Sequence, residues 1–430
     1  MYGQYANEVL SRLSFRRFSG SEEEYAAAKL IASEIEKIGF KPEIEEFTFE
    51  VEEPIEAKLS VNGKDYPVSG SYGAGNCENE TAEVYYLQNY DDVCLKEVKD
   101  KLVILSERAS EENFKELVQN GMKAYMLING SIKDSEGSYD LDSMRYKESF
   151  AAIKKVPCFT IHVKDALEIM ADDKPIATYS HKTAKKTIVS HNVITRVEGS
   201  DPTEDELVIG AHYDSTRYSY GAWDNGAGSV KVLSFLKYLK EHPLKRSVTA
   251  IHFGSEEVGL KGSRAFAEKH QDIIDKCACM VNLDMGGNLF GKNICIVTGV
   301  SSIEGYITCL ANEVGYSTTV SSRVMSSDSA VFSDYGVPTI ALGRTGAQGS
   351  AFMHTRYDEF KYISAKELDQ EIDFLLELMT RLGNAVVFPF PRVIPEELRG
   401  QVIKYFGAAN SHLATMKNLP NERKKTEFKR

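Results

Sequence analysis

Leu207-Val208-Ile209-Gly210-Ala211-His212-Tyr213-Asp214 is an apolar, strand-like run that ends in a histidine and, two residues later, an aspartate. The two-residue period of a strand turns His212 and Asp214 to one side, where Asp214 can accept the ring N–H and fix the tautomer that binds a metal. Working outward, Val248 to Phe253 reads as a second buried strand, closed by Gly254-Ser255-Glu256-Glu257-Val258-Gly259-Leu260-Lys261-Gly262-Ser263. A third, Met280-Val281-Asn282-Leu283, runs into Asp284 and then Gly286-Gly287. From Asn192 the order strand, loop, helix repeats, which predicts an α/β fold with a mostly parallel sheet flanked by helices.

Two further segments carry groups of the same chemistry. Gly221-Ala222-Trp223-Asp224-Asn225-Gly226 precedes a helical run through Val230, Leu233, Leu236 and Leu239, so Asp224 stands at a loop-to-helix junction. There it can offer one oxygen to each of two metals, or simply open a turn that caps the helix. Phe352-Met353-His354-Thr355-Arg356-Tyr357-Asp358 supplies a second histidine before a helix starting near Ser364. Taken singly, each of these residues also has an unremarkable reading as a turn, cap or surface group. Together they place His, Asp, Glu and Asp at the carboxyl ends of successive strands, where open α/β sheets bind ligands. Charge counting agrees with two divalent cations: Asp224, Glu257, Asp284 and one hydroxide balance four positive charges and leave Glu256 free for proton transfer. Five ligands with one shared give each metal three protein contacts and room for water.

These motifs resemble the co-catalytic zinc aminopeptidases of the M28 peptidase family. His212-x-Asp214, Gly221-Ala222-x-Asp224-Asn225, Glu256-Glu257-x-Gly259-Leu260-x-Gly262-Ser263, Asn282-Leu283-Asp284 and His354-Thr355-x-x-Asp358 stand in that family's order. Ser327-Asp328 to Phe332, then Gly336-Val337-Pro338, match a segment that lies beside the substrate pocket in the family. The resemblance covers roughly residues 1 to 50 and 186 to 385. It implies a zinc-exopeptidase fold and two Zn2+, other divalent metals being compatible. His212 and Asp284 then hold one ion, Glu257 and His354 the other, Asp224 bridges, and Glu256 acts as base; Asp214, beside His212, counts as the second catalytic residue. The Asp224–Asn225 peptide bond is expected to be cis. Glu359, where the family often has Thr, and Arg217, Tyr218 and Tyr220 bear on substrate preference rather than on metal binding.

The chain has 430 residues, 42% hydrophobic and 27% charged, a soluble globular composition too long for one ordinary core. The expected division is 1–53 with 186–390 as the peptidase-like domain, 54–185 as an insert, and 391–430 as a C-terminal helix and charged tail. The insert, with alternating strands and an Asn62-Gly63 hairpin turn, resembles the β-rich protease-associated (PA) domain of several M28 enzymes. Residues 21 to 38 read as a helix, with Ser21-x-x-Glu24 as a capping box and Gly39 at its exit.

A net charge of −12 argues against nucleic acid as a partner, and no apolar run approaches a membrane span. Peptides are the expected substrates; the oligomeric state is open. Seven cysteines, with Cys277, Cys279, Cys295 and Cys309 in or beside apolar segments, read as reduced core residues. With no leader at Met1-Tyr2-Gly3-Gln4, they favour a cytoplasmic location, a removed leader being the alternative.

Three rival activities remain at this level. Glutaminyl cyclase shares the fold and a similar His-Tyr-Asp-Ser segment but uses one zinc in a tryptophan-rich pocket, whereas Trp223 is the only tryptophan here. A carboxypeptidase of the same clan needs a cation for the substrate carboxylate, for which Arg217, Arg344 and Arg356 are candidates. A receptor-like binding module without catalysis would have lost ligands, and none is lost.

Overall fold

Every residue of the Glu206–His212 strand is buried, and this fixes it at the centre of a sheet covered on both faces. The computed structural model describes residues 2–135, 139–201 and 205–415. It divides into two units, residues up to Thr48 together with those from Val189 onward, and Phe49–Ile188. The joins fall inside the strands Glu43–Val61 and Ile176–Val197, where the sequence reading put them at 53/54 and 185/186.

In the first unit the sheet order is Thr319–Ser322, Gly291–Thr298, Thr339–Gly346, Cys277–Leu283, Glu206–His212, Val248–Phe253, and then residues 193–197. Glu206–His212 is parallel to both neighbours, and Cys277–Leu283 is parallel to Thr339–Gly346. The antiparallel pairs lie further out, Gly291–Thr298 with Thr339–Gly346 and Val248–Phe253 with 193–197. Side chains alternate between the faces. Leu207, Ile209 and Ala211 join one apolar cluster with helices Tyr2–Leu13, Glu22–Ile38, Ala227–Glu241 and Ala365–Asn384. Val208, Ile251 and Phe253 join another with Lys261–Lys269 and Asp328–Asp334. A fully buried side chain such as Phe253 contributes roughly 1.5–3 kcal/mol, so this double layer is what holds the strand ends in place.

The capped helix forms as Glu22–Ile38: Ser21 accepts the Glu24 amide at 3.1 Å, and Gly39 at φ 99° closes the other end. The capping box is only half made. Glu24 does not return to the Ser21 amide but accepts from Gly20 at 2.6 Å. The C-terminal segment also belongs to this unit, with Val402, Phe406 and Leu413 in the second apolar cluster. The charged tail, Arg423 to Arg430, lies outside the described residues. All seven cysteines are unpaired, but Cys309 is exposed rather than in the core. Helix Ser301–Val314 buries Ile303, Ile307, Leu310 and Ala311, a stripe that turns position 309 outward.

Phe49–Ile188 carries helices among its strands, as in the succession Leu102–Leu105, Glu111–Gln119 and Ala124–Asn129. Cys77–Tyr86, Leu102–Leu105, Ala124–Asn129 and Cys158–His162 run parallel to one another. Leu102–Leu105 is buried throughout, with Val103 and Leu105 in one cluster and Leu102 and Ile104 in another. Strands without a polar face need cover on both sides. Helices such as Glu111–Gln119 and Val163–Met170 supply it, through Phe114 and Leu117 in one cluster and Ala166 and Ile169 in the other. The Asn62-Gly63 turn forms with Val61 paired to Lys64. No helix among the described residues is long and apolar enough to cross a membrane.

Candidate metal centre

Because Val248–Phe253 and Cys277–Leu283 flank Glu206–His212 in parallel, their carboxyl ends reach one edge of the sheet side by side. That edge receives His212, the Glu256-Glu257 pair and Asp284. Asp224 arrives from a distorted turn, Ala222–Gly226, ahead of helix Ala227–Glu241, and its peptide bond to Asn225 is cis. Asn225 ties that turn to the neighbouring strand end: its Nδ2 donates to Leu283 O at 2.8 Å, and its Oδ1 accepts the amides of Gly228 and Met285. His354 comes from the loop before Ala365–Asn384, at φ 61°.

The five expected ligands fall into two donor sets, His212 with Asp224 and Asp284, and Asp224 with Glu257 and His354. His212 Nε2 lies 3.3 Å from Asp224 Oδ1 and 3.6 Å from Asp284 Oδ1. His354 Nε2 lies 3.2 Å from Asp224 Oδ2 and 3.1 Å from Glu257 Oε2. Asp224 thus gives one oxygen to each set. Four donors held tetrahedrally at zinc bond lengths stand about 3.3 Å apart, so these spacings fit. The donor chemistry, imidazole with carboxylate, also suits zinc.

The electrostatics point the same way. Burial by itself lowers the basicity of His212, yet the charge of Glu256 and contacts with Asp214, Asp224 and Asp284 hold its pKa well above the usual value. For His354, whose side chain is half exposed, partial desolvation is outweighed by Glu257 and Asp224, which raise its pKa to about 11. Burial raises Glu257 to about 7 and, with the charge of Glu257, takes Glu256 far above the usual carboxylate range. Burial opposes ionisation of Asp224, but the two histidines bring it below its usual value. A site this rich in buried acids demands cations.

Asp214 does more than face His212. Its oxygens accept the amides of Glu256 and Glu257 at 3.0 and 3.1 Å. His212 Nδ1 is 3.4 Å away without hydrogen-bond alignment. Asp214 therefore holds the Glu-Glu step more firmly than the imidazole.

Four residues escaped notice or a role in the sequence. Asp358 accepts Trp223 N at 2.7 Å and Asp224 N at 3.0 Å; it stood in the quoted His354 motif, but spacing could not say what it binds. Asp328, also within a quoted motif, is fully buried, and burial pushes its carboxyl up to about 7. Arg17 is buried and donates to the carbonyls of Leu13, Phe15, Tyr213, Tyr220 and Gly221, bracing the loop before Asp224. Nothing local singled it out. Glu24 was read as a helix cap, but Ser190 and Ser255 converge on it as well. Arg344 is committed elsewhere, to Glu367, Asn293 and the Asn288 carbonyl, which removes one candidate for recognition of a substrate carboxylate.

A mostly parallel α/β sheet with two histidine–carboxylate sets sharing one aspartate at its carboxyl edge has the build of a two-metal hydrolase. Residues 192–379, which contain all seven expected site residues, match the model of peptidase family M28. Over 390 residues the chain is 24% identical to aminopeptidase YwaD of Bacillus subtilis, covering 86% of this chain and 83% of that protein. Its fold is similar to that of BSAP, a zinc aminopeptidase from Bacillus subtilis, with TM-score 0.74 and 22% identity over 92% of this chain and 98% of the other. It is also similar to a glutaminyl cyclase from an Acidobacteriales bacterium, with TM-score 0.50 and 16% identity over 89% and 94% of the two chains. Fold likeness alone therefore leaves the reaction to the site.

Proposed function

We propose that this protein is a metallo-aminopeptidase that removes the N-terminal residue of peptides, with two divalent cations, zinc foremost, in its site. Peptides as substrates follow from the match to a peptidase family. The observation that carries the reading is Asp224, whose two oxygens belong to two separate donor sets. His212 and Asp284 would hold one ion, Glu257 and His354 the other. When bound, the ions supply Lewis acidity that acidifies water and polarises a carbonyl. Glu256 lies outside both sets, next in the chain to the donor Glu257. It takes the proton of the attacking water and passes it to the leaving amine. Asp214, through the two amides it accepts, keeps Glu256 and Glu257 on opposite duties. We also read Phe49–Ile188 as a PA-like module.

The test combines metal counting with substrate choice. Metal-replete protein is expected to carry two zinc ions per chain and to cleave aminoacyl peptides, losing both metal and activity to a chelator. Saturation at one zinc, with cyclisation of N-terminal glutaminyl peptides, would replace this reading by the cyclase one; cleavage at a free C-terminus would replace it by a carboxypeptidase. Glu256→Gln keeps the shape but cannot take a proton, so turnover is expected to fall by at least ~10²- to 10⁴-fold with both metals retained. Glu257→Gln is expected to weaken one metal and to recover in part when zinc is raised. The opposite pattern in these two variants would reverse the pair.

A further inference from the structure

We propose that Glu24, on the N-terminal helix, is a positioning residue that sets the geometry of Glu256. The inference rests on Glu256 being the base. Glu24 lies outside the segment matched to the peptidase family, and it is 1% exposed. Its Oε1 accepts Ser190 Oγ at 2.8 Å, Ser255 N at 3.0 Å and Ser255 Oγ at 3.1 Å. Its Oε2 accepts Gly20 N at 2.6 Å. Ser19 Oγ also hydrogen-bonds Ser255 Oγ.

These bonds converge on a backbone that does not hold itself. Ser255 stands at φ 56°, in the left-handed region, immediately before Glu256. A non-glycine residue there is strained and persists only when its surroundings over-determine it. Glu24 accepts both donors of Ser255, main chain and side chain, and Asp214 accepts the next two amides, those of Glu256 and Glu257. Three successive amides of the Glu-Glu turn are thus held by two buried carboxylates from different parts of the chain. A helix cap alone needs none of this: the Ser21 hydroxyl already satisfies the Glu24 amide, and Ser21 N bonds Phe18 O instead of the Glu24 side chain. The capping box is diverted toward the site. Without Glu24, the turn before Glu256 is free to relax out of the left-handed conformation and shift that carboxylate, while Asp214 still holds the Glu257 amide and the other four metal donors stay on their own elements.

The experiment compares Glu24→Gln and Glu24→Asp with Glu256→Gln in zinc-loaded full-length protein, measuring kcat, KM, zinc content and thermal midpoint. Glutamine replaces an acceptor oxygen by a donor facing N–H and O–H groups; aspartate keeps both carboxyl oxygens on a shorter stem. Glu24→Gln is expected to lower kcat per zinc-loaded chain by about 10- to 100-fold, the cost of misplacing a reacting group by about 1 Å, with KM changed less than about threefold and two zinc ions retained. Glu24→Asp is expected to lose less. A merely structural role would lower the thermal midpoint and the folded fraction but leave kcat per loaded chain intact, and that result would overturn the proposal. Should Glu24→Gln fail to fold, Ser255→Ala removes one of the two Ser255 donors; an unchanged kcat per loaded chain there overturns it equally. If Glu256→Gln itself keeps full turnover, the base assignment fails instead, and the two failures are told apart.

Discussion

Asp358→Asn probes how the Asp224 turn is held without replacing any of the candidate metal donors. Asp358 is 3% exposed and accepts the consecutive amides of Trp223 and Asp224 at 2.7 and 3.0 Å, one on each oxygen. A hydrogen bond to a charged acceptor is worth about 1.5–3 kcal/mol, so the two together bear on the Asp224 turn with up to ~3–6 kcal/mol. Asparagine keeps the shape and one acceptor but turns an NH2 group toward the other amide, so about half of that is expected to be lost. The loss divides between global stability and the site. If about 2 kcal/mol falls on the site, zinc affinity weakens roughly 30-fold, at 1.4 kcal/mol per tenfold. Urea unfolding of the metal-free protein gives the first share, and a zinc titration followed by calorimetry gives the second. An Asp358→Asn protein with unchanged unfolding midpoint and unchanged zinc affinity would refute the reasoning, because two buried amides would then have lost a charged partner at no cost.

Two further outcomes are expected. His252 is fully buried, and burial depresses its pKa from the ordinary 6.5 to about 4 even though its Nε2 reaches Ser229 O at 3.1 Å. Because the folded value is lower, the unfolded chain takes up this proton first. The associated stability is complete above about pH 6.5 and is lost as pH falls toward 4, by ~3 kcal/mol in all; His252→Gln should flatten that part of the stability–pH curve, and an unaltered slope between pH 6.5 and 4 would count against it. A β-carbon at Gly228 would collide with Asn225 Oδ1 and the Leu283 carbonyl, the atoms that join the Asp224 turn to the Asp284 strand. Gly228→Ala is therefore expected to cost ~1–3 kcal/mol and to lower zinc content; a thermal midpoint and zinc content equal to the parent's would show that the turn tolerates displacement.

The sequence by itself determined the α/β class and pointed to the five candidate donors that the fold gathers into two sets. The physical reason is that these are local facts: an apolar run that ends in His or Asp declares both a buried strand and a costly polar group at its end, and Ser21 and Gly39 mark a helix with their own side chain or lack of one. What the sequence could not contain was the partner of each supporting group. Asp214 faces His212 as expected from the sequence, but it also holds the amides of Glu256 and Glu257, more than 40 positions away in the chain. Arg17 carries no motif and Glu24 only that of a helix start, since a buried arginine whose guanidinium meets carbonyls and a glutamate in a capping box look like any others until the fold closes around them. The layering of Phe49–Ile188 was likewise decided in three dimensions, because a short apolar strand does not announce whether a sheet or a helix will cover it. Ligand identity was written in residue type, whereas ligand support depends on hydrogen bonds between distant segments, and only tertiary structure brings those together.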